Sequence, residues 1–462
     1  MSTSGGSGDQ YYLFDHRILE HVENAFLSLG TVTKDPHNPL FVADRPWEAW
    51  LDNLYGTILY DEEERLFRLW YSPFLYHKFV PGGNLNEEGR NESGLCYAFS
   101  EDGIKWTKPE LGLVDFEGSR KNNLVMRKVH GVGVFRDTHE EDPARRYKMF
   151  FKSHGANRKS PDYRLPAGAA HSPDGIHWTE DGQVDLPRWF GMWGDTHNNG
   201  LWDEKLQRYV LYTRTWTDIP GERTRVVARM ESRDFRSWSR PVDILRELPE
   251  ERGHREVYAV PSFQRDGLTM GFIMMFNTDE GNWTVDCELG WSPDTWNWYR
   301  ICPGQSIIPR GPAGSCDFGT IYAVQGPIFR DEEILIYYGG FETPHKGYRK
   351  GSLCLARLGP DRWAGYEPRD DHTPGLITTN PIRWTGKRLQ VSADCREGGF
   401  LKAAIVGSGD RCFRKCKPMS GEVTRRSIEW NDDENLSPAE GDTVQLQFQL
   451  SRAKLYAFGF GN

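Results

Sequence analysis

The sequence predicts an all-β chain, a five-bladed β-propeller followed by a β-sandwich, and three observations carry that reading. A short turn containing aspartate and tryptophan recurs five times, each copy follows a set of short aromatic-rich runs, and no segment sustains the 3.6-residue period of an amphipathic helix. The repeat reads Ser100-Glu-Asp-Gly-Ile-Lys-Trp106, Ser172-Pro-Asp-Gly-Ile-His-Trp178, Ser232-Arg-Asp-Phe-Arg-Ser-Trp238 and Ser292-Pro-Asp-Thr-Trp-Asn-Trp298, with a shortened fifth copy, Gly359-Pro-Asp-Arg-Trp363. Its aspartates, at 102, 174, 234, 294 and 361, are spaced by 72, 60, 60 and 67 residues, a length that suits one blade. Asp and Ser in such a turn hydrogen-bond the local backbone while the Trp packs between sheets, so the repeat is read as structural and not catalytic.

Residues 1–45 are expected to form an N-terminal arm that covers one end of the ring or supplies the strand that closes it. The propeller is placed at 46–374. Its first unit reads GTILYDEEERLFRLWYS and GLCYAFSEDGIKW, its second GVGVFRD, RYKMFFKS and GAAHSPDGIHW, and its third NNGLWDEKLQRYVLYTRTW and RVVARMESRDFRSW. The fourth has VYAVPSF, GFIMMFN and CELGWSPDTWNW, and the fifth TIYAVQGPIF, EILIYYGGF and SLCLARLGPDRW. Each gives three strands, with a fourth expected after the Trp. Beyond Pro374 the repeat stops. Residues 380–462 alternate through RLQVSADC, GFLKAAIVG, VTRRSIEW, DTVQLQFQL and AKLYAFGF between polar turns, as a small β-sandwich would.

Composition narrows the function classes. The 462 residues carry 57 Lys and Arg against 66 Asp and Glu, a formal charge of −9, so no basic stripe is expected for a nucleic acid. No run approaches the roughly 18–20 apolar residues of a membrane span; mean hydropathy is −0.66, and no membrane partner is expected. The opening MSTSGGSGDQ lacks the basic and apolar regions of a signal peptide, which fits a cytoplasmic protein or a secreted one with its signal removed. Eight cysteines are too sparse for a disulfide scaffold, and Cys412 and Cys416 have no second pair at zinc-site spacing. Aromatic residues make up 13% of the chain, enough to require a large β core, a sugar-binding cleft or both.

Propellers bind ligands near the axis, where the first strand of each blade meets the loops, so polar residues at those places are the candidates. They are Glu48 and Asp52 in the first unit, Asp137 in the second, Asp195, His197 and Asn198 in the third, Glu256 in the fourth and Asp317 in the fifth. Five acids around one axis would split their pKa values in the way acid/base catalysis uses. Trp50 and Trp193 offer flat faces for a sugar ring beside them, and Arg214, in YTRTW, and His345, in ETPHKGY, are expected to clamp substrate.

Five blades, the S-x-D-G-x-x-W turns, the axial carboxylates and the appended sandwich together resemble the five-bladed propeller glycoside hydrolases, the superfamily of families 32, 43, 62, 68 and 117, with family 32 nearest in architecture. Those enzymes set an aspartate in the first blade, a second two blades on and a glutamate one blade further; Asp52, Asp195 and Glu256 follow at gaps of 143 and 61 residues. The resemblance implies cleavage of a glycosidic bond, exo-acting on a furanoside of fructan or arabinan type, with an oligo- or polysaccharide as partner. It casts Glu256 as general acid, Asp52 as nucleophile or base and Asp195 as transition-state stabiliser. The chain departs from family 32 at Leu51-Asp52-Asn53-Leu54 where that family has N-D-P-N-G, at Arg136-Asp137-Thr138 for R-D-P and at Glu256-Val257 for E-C, which leaves fructan and the role of Asp52 open. A non-catalytic carbohydrate-binding propeller, a sialidase-like enzyme and a phosphorolytic one, which would need a basic pocket near the acids, are the alternatives. No cofactor is expected, although structural calcium is compatible with an axial acid ring. The sequence does not distinguish a monomer from a homo-oligomer.

Overall fold

Short runs of Val, Ile, Tyr and Phe bounded by Asp, Glu and Gly turns become strands throughout the chain. The computed structural model describes residues 10–461 except 52, 154–166, 184–193, 220–221, 280, 432–437 and 439. Among the described residues there is no α-helix, only 3-10 turns at His16–Ile18, Pro143–Arg145 and Pro249–Glu251. The protein is all-β.

Five antiparallel blades follow one another. Blade one pairs Thr57–Asp61, Leu66–Tyr71, Glu92–Ser100 and Leu124–Arg127 in that order. Blade two pairs Val129–Arg136, Tyr147–Ser153, Ala167–Ser172 and Thr179–Gln183, and blade three pairs Asn199–Asp203, Arg208–Ile219, Glu222–Ser232 and Val242–Leu245. Blade four runs Arg255–Ala259, Leu268–Asn277, Val285–Ser292 and Tyr299–Ile301. Blade five has Thr320–Ala323, Ile334–Phe341 and Gly351–Leu358, and its outer edge is filled from the start of the chain by Thr33–Lys34 and Phe41–Val42. The first unit thus closes the ring on the last, and a parallel bridge between Thr57 and Gln325 completes the inner circle.

The repeated turn has one geometry in four copies. Asp102 Oδ1 accepts the backbone N–H of Ile104 at 2.8 Å and Lys105 at 2.7 Å, while Ser100 Oγ accepts that of Gly103 at 2.9 Å. Asp174, Asp234 and Asp294 repeat the aspartate bonds. The residue after each aspartate is left-handed: Gly103 and Gly175 at φ 78° and 77°, but Phe235 and Thr295 at 61° and 69° in the third and fourth copies. In the fifth copy Asp361 instead binds Arg425 and Ser392 of the C-terminal sheet.

Each turn tryptophan reaches back to the preceding blade. Trp106 meets Tyr337 of blade five at 5.8 Å, Trp238 meets Phe150 of blade two at 5.5 Å, Trp298 meets Tyr212 of blade three at 5.4 Å and Trp363 meets Phe263 of blade four at 5.6 Å. Trp178 packs on the cluster of Trp70 and Tyr97 in blade one. The apolar interior is accordingly divided into one cluster per gap between blades.

After Trp363 the chain leaves the ring. Ala364–Pro368 and Gly375–Thr379 enter a second sheet built on two long strands, Arg388–Ile405 and Leu446–Gly461, that pair along most of their length around Leu389, Val391, Leu401, Phe448 and Phe458. The sequence reads each long strand as two. The Arg396-Glu-Gly-Gly399 segment is a bulge within the first, with a register shift between Cys395 and Phe400, because the partner strand continues past it. The N-terminal strands Gln10–Tyr12, Leu19–Glu23 and Ala25–Leu29 join the same sheet.

Candidate active site at the propeller mouth

Residues 194–198, before the third inner strand, are tied down by Asn198. Asn198 donates its amide to the carbonyls of Gly131, Gly194 and Thr196 at 2.8, 3.1 and 3.1 Å and accepts from Thr213 Oγ1 at 2.6 Å. Blade two comes so close that a Cβ on Gly131, at φ 59°, would lie 1.8 Å from the Thr196 carbonyl oxygen, so glycine is required there. This loop presents Asp195, half exposed, to Arg214 at 2.8 Å, His130 Nε2 at 3.1 Å and Lys152 at 3.4 Å. Desolvation works against ionisation of Asp195, yet the His130 hydrogen bond and the charges of Arg214, His130 and Lys152 together hold its carboxyl well below the usual carboxylate range.

Glu256 enters from blade four and ion-pairs with Arg225. The strand register sets Arg225 directly across from Trp216, and Arg214 stands two residues before it, so both guanidinium groups lie over the indole, at 4.6 and 5.6 Å. They also flank Tyr258, at 5.8 and 5.1 Å. Two carboxylates from adjacent blades are therefore each held by an arginine against one aromatic wall.

The opposite side belongs to blades one and five. Asn53 accepts from buried Arg349 and donates to the Tyr55 hydroxyl at 2.7 Å and the Tyr258 hydroxyl at 3.3 Å. Arg349 lies over Trp50 at 5.0 Å. His345 Nδ1 meets the Tyr322 hydroxyl at 2.8 Å, and its ring stands 5.3 Å from Tyr258. Burial, then the charges of Arg349, Arg225 and Arg214, push His345 well below the ordinary histidine value, Asp195 opposing them. His345 is thus a neutral group within the field of all three arginines. His197, 2% exposed and beside Tyr55, is pushed by burial down to about 3.

Of the residues singled out in the sequence, Asp195, Glu256, Arg214, His345 and Trp50 come together here. Five do not serve as expected. Asn198 spends its amide on the loop, Glu48 is enclosed by Lys108 at 2.7 Å and Tyr71, and Asp137 is bound by Lys148 at 2.8 Å and Tyr209 at 2.7 Å. Asp317 turns outward to Tyr338 and to Lys34 of the closing strand. Asp137 follows the inner strand of blade two, at the end away from the mouth, whereas His130 occupies the beginning. His197 is an interior group without surface for a ligand. Asp52 and Trp193 lie outside the described residues. In place of an acid ring the described mouth is rich in basic groups, with His130, Lys152, Arg225 and Arg349 unforeseen from sequence. Among the described residues no group of three or more His, Cys, Asp or Glu could hold a metal ion, and no helix is long and apolar enough to cross a membrane. Two shallow depressions, lined by Arg208, Glu231 and Asp234 and by Ile244, Leu248 and Trp298, lie on turns and outer strands of blades three and four.

Comparison with family models and with curated proteins finds no match to the sequence. Among solved structures, the chain is similar to an N-acetylgalactosamine deacetylase from F. plautii, crystallised with blood group B trisaccharide, at a TM-score of 0.52 and 14% identity, covering 72% of this chain and 96% of that one. A beta-1,2-mannobiose phosphorylase from Listeria innocua aligns at 0.48 and 12% identity over 71% of this chain and 96% of its own. The catalytic domain of a Coprinopsis cinerea GH62 alpha-L-arabinofuranosidase aligns at 0.45 and 12% over 71% and 97%. The first of these likenesses is one of fold.

Proposed function

We propose that the chain is a glycoside hydrolase acting at the propeller mouth, releasing terminal residues from a short glycan, with a furanoside of arabinan or fructan type as the first class to test. The carrying observation is the pair of carboxylates from neighbouring blades, Asp195 on Arg214 and Glu256 on Arg225, set against Trp216. An oxocarbenium-like transition state requires a proton for the leaving oxygen and fixed negative charge near the ring. Glu256 supplies the proton from Oε1, Arg225 orienting the carboxyl through Oε2. Asp195, held ionised by Arg214, Lys152 and the His130 hydrogen bond, stabilises the developing charge, and Asp52 is the nucleophile or base. Family 32 remains the architectural analogy. The test is a panel of aryl furanosides and pyranosides with wild type and Glu256→Gln. The variant is expected to lower kcat by about 10²–10⁴-fold; glycans that bind both proteins alike with no cleavage by either would overturn the enzyme reading in favour of a carbohydrate-binding propeller.

A further inference from the structure

The whole chain is acidic, at −9, yet Arg214, Arg225, Arg349 and Lys152 converge on a mouth where Asp195 and Glu256 are the described carboxylates in ion-pair contact. Arg349 is the informative one. It is 4% exposed, it binds the neutral amide of Asn53, and no carboxylate among the described residues pairs with it. A guanidinium keeps its charge, so burial without a counter-charge is costly. The Nε–H groups of Arg214, Arg225 and Arg349 are all buried with no acceptor among the described residues. Unsatisfied buried donors on charged groups are rare, and of the five described arginines that carry one, these three stand around Tyr258 and His345.

We propose that this mouth recognises an oxyanion carried by the glycan itself, a uronic-acid carboxylate, with Arg349 as its anchor and Arg214 and Arg225 flanking. The planar guanidinium offers a carboxylate two parallel N–H bonds, and the bound anion supplies the counter-charge that the described residues do not. Trp216, partly buried, supplies an apolar face for the ring that bears it. The proposal rests on the glycan-binding reading above and deepens it to an acidic sugar.

Binding and turnover separate the two. Calorimetry is done with disaccharides ending in glucuronic or galacturonic acid and with their methyl esters, which keep the shape and lose the charge. Wild type is expected to bind the free acid about tenfold or more tightly than the ester, with a preference that weakens as salt rises. Arg349→Gln should level acid and ester, and Arg349→Lys, which keeps the charge but loses the fork, should fall between, each variant first matched to wild type in its melting curve. Equal binding of acid and ester by wild type overturns the proposal even if neutral glycosides are cleaved, which would leave the hydrolase reading intact. Tight acid binding without cleavage supports the anion site and removes the hydrolase. Turnover of acid and ester alike that requires inorganic phosphate overturns the proposal by making free phosphate the anion.

Discussion

Protonating His197 would place a charge in the interior, where burial outweighs its one favourable backbone contact, with Val132. Its value in the fold is about 3, against about 6.5 in the unfolded chain, so as pH falls below 6.5 the unfolded state takes up a proton that the fold refuses. The stability this group contributes is full above pH 6.5 and declines toward 3, by about 3 kcal/mol between pH 7 and pH 4. Urea midpoints measured from pH 4 to 8 should show a His197→Phe variant with a flatter profile than wild type. At this scale the sequence is informative where chemistry is local. Asp195 and Glu256 stand close to strand starts and were legible there; Glu48 and Asp317 looked equivalent because the lysines that neutralise them, Lys108 and Lys34, arrive from distant segments, and Asp137 because Lys148 reaches it only through the pairing of two strands. Arg349 could not be found at all, since its place depends on a loop of blade five meeting Asn53 of blade one.

At the level of elements, the aspartate turn works as a self-contained connector. The carboxyl of Asp174 is desolvated, yet the N–H groups of His177 and Ile176, the His177 ring and Ser172 Oγ hold its pKa at about 2. Asp174→Ala removes those bonds and should cost about 1–3 kcal/mol, read as a fall of several degrees in Tm with no change in the mouth. The turn's bond pattern was legible because it spans seven residues; the direction of the tryptophans was not, since nothing in S-x-D-G-x-x-W says that each side chain packs on the blade before. The bulge at 396–399 was hidden for a related reason. A Gly pair beside charged residues has the composition of a turn, and only the pairing of the opposite strand shows that the chain runs straight on.

At the scale of the molecule, the two sheet systems share their ends. Residues 10–29 lie against 364–379 and 446–461, and the fifth turn is tied by Asp361 to Arg425. Deleting 380–462 would strip partners from all of these strands as well as from the sandwich core. Such a protein is expected to aggregate, with activity lost as a consequence; a soluble truncated chain with an unchanged Tm that no longer binds polymeric glycan would instead make the C-terminal sheet a binding module.

The strand that closes the ring also sets an order in time. Segment 33–42 leaves the ribosome more than 300 residues ahead of its partner at 351–358, while 25–29 and 19–23 wait for 364–368 and 376–379, and 10–12 waits longest, for 457–459. At about 5–20 residues per second, those edges stay unpaired for roughly 15–90 seconds during synthesis. An exposed strand edge invites pairing with a neighbouring chain, and charged side chains are the usual protection. The arm is written accordingly: Asp15-His-Arg-Ile-Leu-Glu-His-Val-Glu23 sets a charged or ionisable group at six of nine positions, so a segment that must wait for 376–379 is poorly able to stick.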